Sequence, residues 1–231
     1  MALLHRAELR PSKMEFLAGW APSQPWFVGE VGSGLTNVAS FRFDDPDGEV
    51  GVETLLVRAG DGPIMQVPLT YRNAPLAGGE AWLIGTLHHS VLGTRWVYDA
   101  VGDPVYLLTT ATAIVTGGHQ ADLYVDVDGE LVPREPSAVV VGSGTGGAPV
   151  PTQPSASSLP LVEDISTRFE EGSTVVETTG LALAVARVPH ADGPGLRWPA
   201  SLARPDTAGG VLTGTWTGQV EPLPLVLAAV G

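Results

Sequence analysis

Apolar and polar positions along this chain change period several times, and the changes mark its elements. Ser12-Lys13-Met14-Glu15 has the form of a capping box, in which a serine and the glutamate three residues on satisfy the first free amides of a helix. Met14, Leu17 and Trp20 follow at helical spacing, and Pro22 and Pro25 stop the segment. Trp26-Phe27 then offers apolar bulk to pin the short helix to a core. Beyond it the chain turns to strands. NVASFRFDD (37–45), EVGVETLLVRAG (49–60) and PIMQVPLTY (63–71) are separated by Asp47-Gly48 and Asp61-Gly62, the dipeptides of tight hairpins, and predict an antiparallel meander. EAWLIGTLHHS (80–90) and TRWVYDA (94–100) predict a further hairpin about Leu92-Gly93.

Asp103-Pro104 supplies an N-cap followed by proline at the first helical position. Val105, Leu108, Ala111 and Val115 keep helical spacing, and Gly117 closes the segment. Its β-branched threonines lower the intrinsic propensity, so packing must hold this helix. After residue 120 the pattern is again β. DLYVDV and ELVP flank Asp128-Gly129, while STVVETTGLALAVARVP (173–189) and GVLTGTWTGQV (210–220) supply the remaining strands. Residues 143–160, rich in Gly, Pro, Ser, Thr and Ala, read as a flexible connection. The expected fold is α+β, mostly antiparallel β with two principal helices. Residues 1–120 form one region, with the 103–116 helix against a curved sheet. Residues 121–231 form a second β-rich region, which either packs on the first or completes the same domain.

Composition narrows the partners. The 231 residues suffice for one large domain or two small ones, and 29 glycines with 20 prolines suit a turn-rich β architecture. A formal net charge of -13 argues against nucleic acid and against an anionic membrane surface. The chain has no cysteine, which removes disulfides, thiolate nucleophiles and Cys-zinc sites. MALLHRAELRPSKMEF lacks the apolar core of a signal peptide, and PLPLVLAAVG is too short to span a bilayer. A cytoplasmic location is the expectation.

The chemical motifs are weak. Gly142-Ser143-Gly144-Thr145-Gly146-Gly147 fits G-x-G-x-x-G, but Pro149, Pro151 and Pro154 follow where a phosphate-holding helix should start. The single lysine, Lys13, lies upstream, so neither a P-loop nor a kinase glycine loop is complete. His190-Ala191-Asp192 lacks the asparagine of a phosphotransfer loop: that position holds Arg197, and the only asparagines are Asn37 and Asn73. The acidic clusters at 45–48 and 126–135 miss calcium-loop ligand positions and suit hairpin turns better. His88 and His89, neighbours on a strand, point to opposite faces and cannot share one ion with His119 or Asp122. A spatially paired set of glycosidase carboxylates stays open. The sequence therefore predicts no catalytic residue, no metal and no cofactor.

One segment is more specific. Val67-Pro68-Leu69-Thr70-Tyr71-Arg72, Leu83-Ile84-Gly85, Val97-Tyr98-Asp99-Ala100 and Gly102-Asp103-Pro104, within residues 66–114, resemble the N-terminal cap domain of actinobacterial maltokinases. FLAGWAPSQPWFVG resembles that cap's first helix and aromatic turn, which extends the likeness over residues 10–118. The resemblance implies a cystatin-like curved sheet wrapped by a helix. It also implies a link to the trehalose-to-glucan route, where such kinases make maltose 1-phosphate from maltose and ATP. The kinase lysine, catalytic loop and magnesium ligands have no counterparts here, so the resemblance is to a stand-alone cap. Tyr71, Arg72, His88, Arg95, Trp96, Tyr98, Asp99 and Asp103 are the candidate ligand or interface residues. Arg72 is placed to neutralise a carboxylate, and Asp99 and Asp103 to close turns or cap the helix. Three readings follow: a non-catalytic accessory protein that binds a carbohydrate-metabolising enzyme or a second copy of itself, a small-ligand or carbohydrate-binding module, and an enzyme with an unfamiliar site.

Overall fold

A computed structural model describes residues 2–4, 8–127, 129–144, 159–190 and 208–230. Two short strands, β1 (Ala2–Leu4) and β2 (Leu9–Arg10), precede helix α1 (Lys13–Trp20). The capping box is formed: the Glu15 amide donates to the Ser12 hydroxyl, and the Ser12 amide donates to the Glu15 carboxylate at 2.9 Å. Five strands follow, β3 (Leu35–Phe43), β4 (Gly51–Ala59), β5 (Ile64–Arg72), β6 (Leu83–His89) and β7 (Gly93–Asp99). They join β2 in one antiparallel sheet of order β2-β6-β7-β5-β4-β3. The expected meander holds for β3–β5. The next hairpin enters with β7, not β6, beside β5, pairing Leu69–Arg72 with Trp96–Asp99. Asp45 fixes the β3–β4 turn by accepting from the amides of Asp47, Glu49 and Val50, which is the hairpin role expected of that acidic cluster.

This first sheet is buried on both faces at β4 and β5. On one face Leu55, Val57, Met65 and Val67 pack with Leu17 of α1 and with Trp26. On the other, Val52 and Leu56 join a larger core. That core contains helix α2 (Pro104–Thr116), capped by Asp103, started by proline and ended by Gly117 in the left-handed region. Thr109 and Thr116 donate their hydroxyls to the carbonyls of Val105 and Thr112, so these threonines bury no unpaired donor.

Three further strands close the first half: β8 (Leu123–Val127), β9 (Glu130–Arg134) and β10 (Ala138–Gly142). β8 and β9 form the predicted hairpin, with β1 parallel to β8. A second six-stranded antiparallel sheet then runs β10-β14-β15-β13-β12-β11, built from β10, β11 (Ser166–Glu170), β12 (Ser173–Thr178), β13 (Leu181–Ala186), β14 (Ala208–Trp216) and β15 (Gln219–Val230). The run at 173–189, expected to supply strands, is a hairpin about Gly180, whose φ of 86° requires glycine. The terminal apolar run is not broken by its prolines. β15 passes through Pro222 and Pro224, which lie outside the Val226–Val230 stretch paired with β13, and bulges against β14 absorb the missing donors. Helix α2 is walled by both sheets: Phe41 and Val52 of the first and Val140, Leu212 and Val226 of the second share its core.

Gly142 and Gly144 serve this packing. A Cβ on either would collide with backbone of α2, at Ala113 and Val115 respectively. The gap lets the Gly144 amide reach the free carbonyl of Ile114 at 2.8 Å. The described part of the glycine motif thus holds a helix C-terminus. Residues 145–158 of the expected connection, Asp128, and Ala191 and Asp192 lie outside the described residues. Among the described residues, no helix is long and apolar enough to cross a membrane.

Gly142→Ala should destabilise the fold by about 3 kcal/mol, because backbone cannot yield as a side chain can. Gly218→Ala, at a left-handed turn with open space around it, should cost only about 1 kcal/mol. Urea denaturation midpoints of the two variants check the order.

Candidate functional site

Residues of β5 and β7 alternate between the two faces of the first sheet, and the candidate residues divide accordingly. On the α2 side, Arg72 grips Asp103 with two bonds of 2.7 Å, from Nε and Nη2 to the two carboxylate oxygens. Asp103 is fully buried, and it also accepts from the Thr70 hydroxyl at 2.7 Å and from the Val105 amide at 3.0 Å. Trp96 stands opposite Arg72 across the strands, and Tyr98 opposite Thr70. The Tyr98 hydroxyl accepts from the Leu76 amide, holding the loop after β5.

On the α1 side, Tyr71 donates its hydroxyl to Glu53 at 2.9 Å. Glu53 is buried in the middle of β4, where Lys13 at 2.6 Å and Arg42 at 3.3 Å complete its shell. Burial pushes the Glu53 carboxyl up. Arg42 and Lys13, with hydrogen bonds from Lys13 and Tyr71, outweigh that and hold it down at about 2. The one lysine is therefore spent on a carboxylate of the core.

The histidines do not converge. His88 is exposed on β6, while the His89 ring nitrogen accepts from the amides of Val91 and Leu92 in the β6–β7 turn. Arg95 sits half-buried on β7 opposite Leu87. Among the described residues, no three His, Asp or Glu side chains are grouped to hold a metal ion.

Asp99, the last residue of β7, meets a partner that the sequence did not suggest. Arg187, just past β13 and 1% exposed, donates Nη2 to Asp99 at 2.7 Å and Nε to the Thr174 hydroxyl at 2.7 Å. Its guanidinium lies 4.9 Å from the centre of the Trp26 ring. Its backbone carbonyl accepts from the Gln66 amide of β5, and the Gln66 side chain donates to the carbonyls of Ala186 and Leu225. These bonds stitch the two sheets together. Among the described residues, Asp99 Oδ1 and Arg187 Nη1, both shut off from solvent, have no hydrogen-bond partner. Both residues line a cavity of about 400 Å³, with Trp20, Trp26, Trp82 and Phe169 among its walls.

Residues 20–103 match the family model of the maltokinase N-terminal cap domain. The match contains all eight candidate residues and strands β3–β7. It stops at the N-cap of α2, short of the wider likeness read over residues 10–118. The cap match ties this part of the chain to maltokinase-related trehalose and glycogen metabolism. No curated protein matches the chain. Arg187, Thr174 and Phe169 lie outside the cap segment. The signal for Arg187 was present in TGLALAVARVP: one charge at the end of an otherwise uncharged apolar run needs a buried partner.

Two outcomes follow. Glu53, titrating lower when folded than when unfolded, contributes stability that is full above about pH 4.3 and drains as pH falls toward about 2. Denaturation midpoints across that window should fall less steeply in Glu53→Gln than in the unaltered protein. Arg187→Met strands the Asp99 carboxylate and should cost about 3–5 kcal/mol. Adding Asp99→Leu should recover most of that loss in the double variant, measured by the same denaturation.

Proposed function

We propose that these 231 residues form a non-catalytic accessory or regulatory protein of trehalose, maltose and glycogen metabolism, acting in the cytoplasm through protein contacts. What supports this reading is the use made of the cap motif. Arg72, Tyr71, Tyr98, Asp99 and Asp103 all direct polar atoms at internal partners. A residue set arranged in this way maintains a scaffold and leaves few polar groups for a reacting phosphate. Lys13, the one ammonium available to hold ATP phosphates, is bonded to Glu53 and shielded beside the Tyr71 ring. The partner proposed is a carbohydrate-metabolising enzyme, with a second copy of this chain as the other occupant.

Purified protein should release no ADP above the enzyme-free rate when given ATP, magnesium and maltose. Affinity capture from native lysate should return an enzyme of α-glucan metabolism reproducibly. Turnover of ATP on the disaccharide overturns the non-catalytic reading, and repeated captures without a sugar enzyme overturn the accessory one.

A further inference from the structure

β11 is an edge strand with its outer side open. It pairs with β12 alone, from Ser166 opposite Glu177 to Glu170 opposite Ser173, across the two-residue turn Glu171-Gly172. Both turn residues have positive φ, 49° and 80°, as a type I′ hairpin requires, so Glu170 and Ser173 form a hydrogen-bonded pair. The amides and carbonyls of Ser166, Arg168 and Glu170 therefore face β12, and those of Thr167 and Phe169 face away from it. Among the described residues, no backbone group meets the outward set. Thr167 and Phe169 are both exposed, Phe169 by 41%. An edge of this kind is a template for another strand. Its two faces differ. The Thr167 and Phe169 side chains line the cavity together with Trp20, Trp26 and Trp82, and Trp82 Nε1–H reaches the Thr167 hydroxyl at 3.4 Å. On the other face Arg168 is bonded to both Glu170 and Glu177, which leaves carboxylate in excess. Glu163 and Asp164 before the strand and Glu171 after it are exposed and add to that excess.

We propose that β11 takes an extended, basic segment of a partner protein as an added strand. The segment's residues opposite Thr167 and Phe169 exchange main-chain hydrogen bonds with them and turn their side chains to the cavity face, where apolar groups meet the indoles. The residue between them turns to the carboxylate face, where lysine or arginine fits. Strand alternation thus asks for apolar and cationic residues in turn. A second copy of the chain suits the edge poorly. In the register that uses both outward residues, a twofold axis sets Arg168 against Arg168 and joins two chains of formal net charge -13. The proposal deepens the accessory reading and rests on it only for the premise that the chain works through protein contacts.

The test titrates the full chain with a capped peptide of about seven residues that alternates lysine and valine. Calorimetry should give Kd of about 100 μM or tighter, and hydrogen exchange should slow at the amides of Thr167 and Phe169. A peptide with proline in place of valine keeps the charge but loses the donors, and should bind at least about tenfold more weakly. Phe169→Ala and Glu171→Lys, both at exposed positions, should each weaken binding about tenfold with unchanged melting. A flat titration overturns the proposal. So does equal binding of the proline peptide, which is charge attraction alone, or slowed exchange that spares Thr167 and Phe169. Concentration-dependent dimerisation that Phe169→Ala abolishes gives the edge to a second copy and overturns the proposed occupant. Lysate capture of a sugar enzyme that Phe169→Ala leaves unaltered keeps the accessory reading and overturns this surface. Peptide binding as expected, without any such capture, supports the surface and ends the accessory reading.

Discussion

A guanidinium withdrawn from water decides how this molecule is put together. Arg187 sits where the second sheet ends against the first, and at 1% exposure it has no hydration to fall back on. An unpaired charge there would be prohibitive, so its neighbours are chosen by it. Asp99 supplies the opposite charge, Thr174 an acceptor and Trp26 a polarisable face. Its own backbone meets β5 through Gln66 and the β11–β12 turn through Gly172. Asp99 closes β7, Trp26 follows α1 and Thr174 lies on β12. One side chain therefore sets the relative position of three separate parts of the fold. Gln66, fully buried one strand away, repeats the device in neutral form by donating to carbonyls of both β13 and β15.

The second constraint is the burial of α2 between the sheets. A helix walled on most sides cannot rely on water for its terminal groups. Asp103 satisfies the first turn, and the bidentate hold of Arg72 keeps that carboxylate in place. At the other end the last carbonyls reach the Gly118 and Gly144 amides, which needs glycine where β10 runs past the helix. The same close approach explains Gly142 and Gly144, the described glycines of a motif with no phosphate-binding context.

Local signals in the sequence were read well because local physics produces them. The capping box at Ser12, the Asp103-Pro104 start and Gly117 stop of α2, and the Asp-Gly hairpins all depend on groups a few residues apart. The α+β class followed from the same signals. What escaped was set by distant partners. β11 has no apolar alternation because it is an edge strand on which no residue is fully buried. β15 hid behind two prolines that only the pairing pattern makes harmless. Glu53 interrupts the apolar pattern of β4, and its tolerance rests on Lys13, 40 residues away. Of the candidate site, Arg72 was readable as the partner of a carboxylate, with Asp99 and Asp103 both open, and it is Asp103 that it meets. The pairing of Asp99 with Arg187, 88 residues apart, was not.

These facts bear on what a cap-like segment does in this chain. Tyr98 and Asp99 are neighbours on β7 and face opposite ways, one holding the loop at Leu76 and the other lining the cavity. A sheet buried on both faces uses each strand twice, so the cap motif serves the α2 core and the seam together. The matched segment supplies only part of the cavity wall. Trp20, Trp26, Trp82 and Asp99 come from residues 20–103, while Thr174, Arg187 and Phe169 come from the second sheet. A cap segment without those strands keeps its indoles but loses the guanidinium, one wall and the bonds that hold Asp99. The cavity at the seam is thus a property of the two sheets joined, and not of the matched residues alone.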